Sequence, residues 1–597
     1  MRLTDSDRRM LDGGEGRLIA EAMRFLVRLG EAFDAAGMID LDYAYVYIDC
    51  MEEWGSGELS QDLLSEGLAA GVRCRIPTTT WVSGRELDDA LYGVLGIGER
   101  ELAALAKESE IGRRLGMVHV DTCAPYLMSD LGTPAFGAHV ASIESSAVAY
   151  FNTAMGVRTN RDGISAFFAA LTGRYPAFGM HLDANRRGTL LFDVTAPMRH
   201  SADYSALGYV IGKRSGLAVP VIRGVGRMSI EEMQCLTSAL AVGGAVSLAH
   251  VVGVTPEAPT LEAATGGRAP VETFEVAARD IRDVYDAFSS PADTVDFVCL
   301  GCPHASIHDL KRYAERFRGS HVAAGVTVWL MTAPQNIRLA RESGELDDLT
   351  RAGVHVLMTC PMVNPGVPGP FHTFHHPDYS IGNFATNSMK LLYYSRNCLR
   401  PRKTFFGSTE QCIRSALSGR WVSDDPFGGA ETPLRVNLSN NRRPLGRRVE
   451  GLNETRTLVG KVVVAGECTA EALVAHEPVS FLGMVNTETG TFDCPGHELE
   501  GRSIAGKVLV YPHGKGSSGD TIRMWRLDKF GLAPAGILFQ EAEPIHVQGA
   551  MLLEVPTLYG PFHVVEGRPE QRRMVGFGED VCRAIKTGDL VTIKGDT

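Results

Sequence analysis

The 597-residue sequence has no apolar run approaching the ~20 residues that a membrane-spanning helix needs. It is short of basic charge. Its 59 Lys and Arg stand against 71 Asp and Glu, and an acidic surface of formal charge -12 repels a phosphate backbone, so nucleic acid is excluded as the expected partner. There is no internal repeat and no low-complexity segment. The first residues, MRLTDSDRRMLDGGEGR, are charged and lack an apolar signal core, which places the chain in the cytoplasm as an expectation. In that reducing compartment twelve cysteines do not form a disulfide framework. Most are expected to be small buried residues, leaving a few as ligands or nucleophiles.

The composition that is present, 44% hydrophobic and 22% charged, is that of an ordinary globular protein, and the length implies two to four domains. Leu18, Ala22, Leu26, Leu29 and Phe33 recur at helical spacing and predict a helix from Gly16 to Ala35. Beyond it, Gly-rich turns alternate with short apolar runs and longer amphipathic segments, the pattern of an α/β fold. One stretch, NLSNNRRPLGRR at Asn437–Arg448, is polar, basic and proline-containing and reads as a linker. It separates a large region, 1–445, from a smaller β-rich one, 446–597, with strand candidates at Val462–Ala465, Val508–Tyr511 and Ala550–Val555.

Three cysteines share a local grammar. Cys123 follows the apolar run Met117–Val120, Cys302 follows Val295–Leu300, and Cys360 follows Val354–Met358; each lies just past a predicted strand and close to a proline. The carboxyl ends of strands form the ligand crevice of α/β folds. Three thiolates gathered there could hold an iron–sulfur cluster or a metal with one position open, as Lewis-acid catalysis requires; the same residues also fit plain packing roles. Cys299 forms a C-x-x-C pair with Cys302 but falls inside its apolar run and is expected to point into the core.

A second signal is PHGKGSSGD after the strand Val508–Tyr511, with a helical segment Thr521–Lys529 behind it. Gly514 and Gly516 allow a sharp turn that exposes Ser517 at a helix N-terminus, a setting that favours anions, although a simple Gly/Ser turn has the same composition. The third is IESSAVAYFNTAMGVRTNRDG, which offers Glu144, Ser145, Asn152, Arg158, Thr159 and Asn160 for gripping a small acid, Arg158 being suited to a bidentate carboxylate contact, or else forms a helix with a solvated face. His372, His375 and His376 in FHTFHHPD could bind metal or simply be exposed. These features leave a Lewis-acid enzyme acting on a hydroxyl group, a zinc-dependent hydrolase and a non-enzymatic small-acid sensor open.

Taken in order, DTCAPY, IESSAVAYFNTAMGVRTNRDG, LTGRYPAFGMHLDANR, GVTPEAP, LGCPHASIHDL and ATNSMKLLYYS resemble the large subunit of aconitase X, and SFLGMVNTETGTFDCPGHELEGRSIAGKVLVYPHGKGSSGD resembles its small, swivelling subunit. The resemblance implies a multi-layer α/β/α aconitase-like fold with a swivelling β-rich domain. It implies hydro-lyase chemistry at Cys123, Cys302 and Cys360, on a two-iron or four-iron cluster or a mononuclear iron. It implies Ser517 as the base, with Ser388 and Lys390 joining Arg158 around a small hydroxy acid. The substrates it suggests are cis-3-hydroxy-L-proline, giving 1-pyrroline-2-carboxylate, and then mevalonate 5-phosphate. The chain departs from the family pattern at Tyr45–Cys50, at Trp81, at Met358 and in the segment FLGM, positions expected to line the substrate pocket.

Overall fold

The computed structural model describes residues 1–47, 61–82, 84–128, 134–291, 293–363, 381–423, 457–566 and 573–595. The chain divides into two compact units, Met1–Val436 and Asn437–Thr597. The expected linker at Asn437–Arg448, together with Cys50 and the three clustered histidines, lies outside the described residues. No described helix is long and apolar enough to cross a membrane.

The first unit holds three parallel sheets, as the alternation of short apolar runs with amphipathic segments requires. The first has the order Val118–His119, Thr78–Trp81, Tyr43–Tyr47, Val140–Ser142. The second runs Glu272–Val276, Leu190–Val194, Pro220–Arg223, His250–Val251. The third runs Val354–Leu357, Thr327–Thr332, Phe297–Ala305, Asn383–Thr386, Lys403–Phe406. Val298, Leu330, Val356, Ala385 and Phe405 on these last strands are buried against Leu310, Tyr313 and Phe317 of the helix Ile307–Phe317. Each large side chain buried in this way contributes roughly 1.5–3 kcal/mol. The early helix spans Arg17–Ala32, with Leu18, Ala22, Leu26 and Leu29 all buried on its inner face.

The second unit is built on one mixed sheet with the order Thr457–Val464, Thr557–Glu566, Gly536–Phe539, Val508–Tyr511, Gly466–Val474, Leu590–Gly595, and Arg573–Glu579 pairs with Thr557–Glu566. One expected strand is corrected here. Ala550–Val555 is not a strand: its first four residues close the helix Pro544–Leu553, and the next strand begins at Thr557. A short apolar run does not distinguish the two states by itself. The decisive signals lie upstream, in Glu543, whose side chain accepts the N–H of His546, and in Pro544 at the first helical position.

Candidate active site

Cys123 and Cys360 lie past the ends of their strands. Each precedes a single 3-10 turn, Pro125–Leu127 and Pro361–Val363. Cys302 is different. It sits inside the long strand Phe297–Ala305, where the pairing with Thr327–Thr332 breaks off after Leu300 and resumes at Ala305. Gly301 makes the break possible. Its φ is +82°, and a Cβ there would stand 2.2 Å from the backbone carbonyl oxygen of Met331, so only glycine lets the chain turn the Cys302 thiol out of the strand. Cys299 is fully buried and faces the Met331 sulfur at 3.9 Å, a core position as expected.

The carboxyl ends of the first and third sheets supply one polar cluster. Glu144, two residues past Val140–Ser142, caps the helix Ser145–Met155 by accepting the Ser146 N–H at 3.1 Å. The same carboxylate accepts the Ser146 hydroxyl and the Tyr47 hydroxyl, each at 2.5 Å, and pairs with the Lys390 ammonium. Lys390 also donates to Ser146 Oγ at 2.9 Å. It lies in the first turn of the helix Met389–Cys398, which Ser388 caps by accepting the Leu391 N–H at 3.3 Å. Burial alone would raise the Glu144 pKa, but Lys390, with Ser146 and Tyr47, holds it down at about 2. Burial pushes the Cys123 thiol up to about 12 and also raises Cys302; the Lys390 charge opposes both shifts, and Ser388 also opposes that of Cys302. Cys360 is pushed well above the ordinary thiol range by burial and then by Cys302, with a smaller contribution from Cys123.

His304 joins the two sheets. Its backbone N–H donates to Cys123 Sγ at 3.4 Å, its Nδ1 lies 2.8 Å from Thr122 Oγ1, and its ring meets Trp81 edge-on at 5.7 Å. The Tyr45 hydroxyl donates to the Thr122 carbonyl at 2.5 Å, and Tyr45, Tyr47 and Trp81 form successive edge-to-face contacts. The departures at Tyr45, Tyr47 and Trp81 therefore form an aromatic wall beside Cys123 and Glu144.

Not every predicted residue arrives there. Asn152 is two helical turns from Glu144, about 12 Å along the axis. Its amide donates to the carbonyls of Val148, Thr159 and Ser247, and its oxygen accepts from Thr159 and Arg186. Arg158 pairs with Asp183, and the Thr159 hydroxyl donates to the Asn160 carbonyl. These three brace the turn after the helix rather than joining Lys390. Ser145 is buried at the head of the same helix. In the second unit Ser517 follows Gly516, whose φ is +96°, and immediately precedes Ser518 and the helix Gly519–Lys529; its Oγ accepts the Gly519 N–H at 3.2 Å. Asp520 fixes this loop from below by accepting the N–H groups of Phe481 and Leu482 at 2.8 Å each and by pairing with His546.

Comparison with known proteins decides the family. The aconitase X first, second and third domain models match residues 1–184, 188–286 and 295–418, and the aconitase X swivel domain model matches 457–597. The chain belongs to the aconitase X family. It is 34% identical over 365 residues to the phosphomevalonate dehydratase large subunit of Methanothermobacter thermautotrophicus, covering 61% of this chain and 88% of that one. It is 28% identical over 447 residues to the cis-3-hydroxy-L-proline dehydratase of Hypocrea jecorina, covering 71% and 70%. The crystal structure of the holo-form of Thermococcus kodakaraensis aconitase X superposes with a TM-score of 0.58 at 29% identity over 70% of this chain and 100% of that one. As a family member with these relatives, the chain is a hydro-lyase.

Aconitase-like dehydratases generally use an iron–sulfur cluster, and the donors here suit one: three soft thiols, Cys123 buried and Cys302 and Cys360 partly buried, that act on one another electrostatically, with Lys390 alongside. Among the described residues no three His, Cys, Asp or Glu side chains are gathered tightly enough for a metal ion. A multinuclear cluster takes its thiolates on different metal atoms and so accepts a wider spread.

Sequence reasoning missed Ser146, Thr122 and His304. Their part in the site comes through partners 182 residues away for Thr122 and 244 for Ser146, which no local pattern encodes.

Proposed function

We propose that this aconitase X protein removes water from a small zwitterionic hydroxy acid, with cis-3-hydroxy-L-proline as the first candidate and 1-pyrroline-2-carboxylate as its product. One observation carries the reading: the buried Lys390–Glu144 pair beside Cys123 and Cys302. Two cations placed around this site are each matched by a carboxylate, Lys390 by Glu144 and Arg85 by Asp121. A phosphorylated polyanion needs surplus positive charge, whereas an amino acid brings one charge of each sign. Its carboxylate fits Lys390, which has one N–H beyond those given to Glu144 and Ser146, and its ammonium fits Glu144, ionised far below neutrality. The Tyr45, Tyr47 and Trp81 wall suits the apolar face of a small ring.

We assign 1–445 to holding the centre and 446–597 to the swivelling domain. Cys123, Cys302 and Cys360 would hold an iron–sulfur centre, which when bound supplies a Lewis acid for the departing hydroxyl. Ser517 removes the proton from the carbon bearing the carboxylate. The Gly519 N–H and the N-terminus of Gly519–Lys529 stabilise the serine oxygen for this task. The C–H and C–O bonds break, a C=C bond forms, water leaves, and the enamine tautomerises to the cyclic imine acid.

A second reading, dehydration of mevalonate 5-phosphate, is favoured by the 34% identity to the phosphomevalonate dehydratase subunit. Full-length protein loaded anaerobically with iron and sulfide, assayed on both substrates, separates the two. Imine from the hydroxyproline supports the zwitterion argument, and turnover of the phosphate alone sinks it. Ser517→Ala is expected to cut turnover by roughly 10²–10⁴. Exchange of the substrate α-proton in deuterated water at the wild-type rate would place the base elsewhere.

A further inference from the structure

Glu86 belongs to none of the motifs above, yet it spans both sheets of the site. It follows the strand Thr78–Trp81 of the first sheet and is buried. Its carboxylate reaches the end of Val354–Leu357 in the third sheet. There Oε1 accepts the N–H groups of Met358 at 3.1 Å and Thr359 at 2.8 Å, and Oε2 accepts Met358 N–H at 3.0 Å. Thr359 is bonded directly to Cys360. The same turn is held from the other side. Asp121 Oδ1 accepts the Val82 N–H at 3.2 Å, and Asp121 Oδ2 pairs with Arg85 at 3.0 Å. Asp121 is two residues before Cys123. Val82, Arg85 and Glu86 therefore tie the approach to one thiol to the approach to another, Glu86 reaching Met358 across 272 residues of sequence.

We propose that Glu86 is a positioning residue for the Cys360 thiol, and that the turn carrying it sets the separation between Cys123 and Cys360. The inference rests on reading the three thiols as ligands of one centre. Two successive backbone N–H groups, buried at a strand end with no further strand residue to pair them, need an acceptor; a carboxylate with two oxygens satisfies both at once. Burial pushes the Glu86 pKa up to about 7 against the pull of those amides. A carboxyl group kept at that cost has a role that a neutral core residue would not fill. Side chains that orient metal ligands from behind typically cost 10–100-fold in metal affinity when removed.

The test uses the full chain, reconstituted anaerobically with ferrous iron and sulfide. Glu86→Ala should release iron to a chelator about 10–100-fold faster than wild type and shift the visible charge-transfer bands. Glu86→Gln, which keeps a carbonyl oxygen in place, should restore most of the retention. In the metal-free protein, alkylation read peptide by peptide should show Cys360 labelled faster in Glu86→Ala while the buried Cys299 and Cys412 are unchanged. Should Glu86→Ala fail to fold, Glu86→Asp, shorter by one methylene, carries the same comparison. Wild-type iron retention and wild-type Cys360 labelling in the variant overturn the proposal, as does faster labelling of every cysteine, which signals general loosening. A wild-type protein that takes up no iron removes the three-thiol reading and this inference together; loss confined to the variant comparison removes only this one.

Discussion

The second and third sheets of the first unit make an instructive pair. Both are parallel, and in each one strand has a glycine pressed against its neighbour, just past the strand in the second sheet and within it in the third. Gly224, just after Pro220–Arg223, has φ +97° and would place a Cβ 2.2 Å from the Val194 carbonyl oxygen; Gly301 has φ +82° and the same 2.2 Å clearance to the Met331 carbonyl oxygen. The backbone device is shared, but the surroundings are not. Past Gly301 come Cys302 and a buried meeting with the first sheet. At Gly224 the neighbouring Arg223 pairs with Asp193 at 2.6 Å, and both side chains are substantially exposed. A strand end of this kind is a place where a site can be built; the chemistry comes from what a second sheet brings to it.

The comparison can be broken most severely at the thiols. Cys302→Ala should abolish bound iron and activity, whereas Cys235→Ala, buried in the helix Ile230–Gly243 within the second-domain match, should leave iron intact and cost about 1 kcal/mol; metal analysis and a melting curve distinguish them. The next effect is at Lys390. Lys390→Met strands the buried Glu144 carboxylate and should cost roughly 3–5 kcal/mol, while Lys390→Met with Glu144→Gln should recover much of that stability without recovering substrate binding. A denaturant titration of the three proteins, with KM measured beside it, decides the point.

The glycines sharpen the comparison directly. Gly301→Ala and Gly224→Ala should each destabilise by roughly 1–3 kcal/mol, since both force a side chain into positive φ and against a carbonyl. Only Gly301→Ala should lose iron. Equal iron loss from both would mean that the two sheet ends are coupled and that the contrast drawn here is wrong.

The smallest effect gives the baseline for an ion pair with no chemistry attached. Asp7, on the helix Asp5–Leu11, binds Arg174 Nε at 2.8 Å. Burial acts to raise its pKa, but Arg174 and Thr4 overcome this and bring it below 3.8. A carboxyl depressed by folding adds stability above its unfolded pKa and loses it as pH falls through the folded value. Asp7→Asn should therefore cost about 1–2 kcal/mol at pH 7, the difference closing in acid below about pH 4. A constant difference down to pH 2 would contradict the assignment.

Much of this was legible in the sequence because strand ends carry punctuation. Cys123 and Cys360 each follow a short apolar run, and the structure places each just past a strand's carboxyl end; Glu144 enters through a polar run and Ser388 through the family resemblance, and both also lie just past strands. Cys302 departs from the rule, since its strand continues beyond it, but Gly301 interrupts the pairing there. The polar run from Glu144 to Thr159 divides between two places for a physical reason. The helix Ser145–Met155 has its cap Glu144 at Lys390, while Asn152 near its far end meets Arg186 and Arg158 beyond it meets Asp183, so shared polarity did not mean shared location. Glu86 and His304 were silent because their significance lies entirely in partners supplied by another sheet.

The Lys390–Glu144 pair has a consequence for how this pocket meets its ligand. A resting site that already contains its own cation and anion exerts little net field on solution, so encounter with a substrate owes almost nothing to long-range attraction. On the proposed reading, a zwitterion adds its carboxylate to the remaining Lys390 N–H and its ammonium to Glu144 without breaking the pair. Raising ionic strength should therefore leave kcat/KM nearly flat for a zwitterion, in contrast to the steep decline of a pocket that draws in a polyanion.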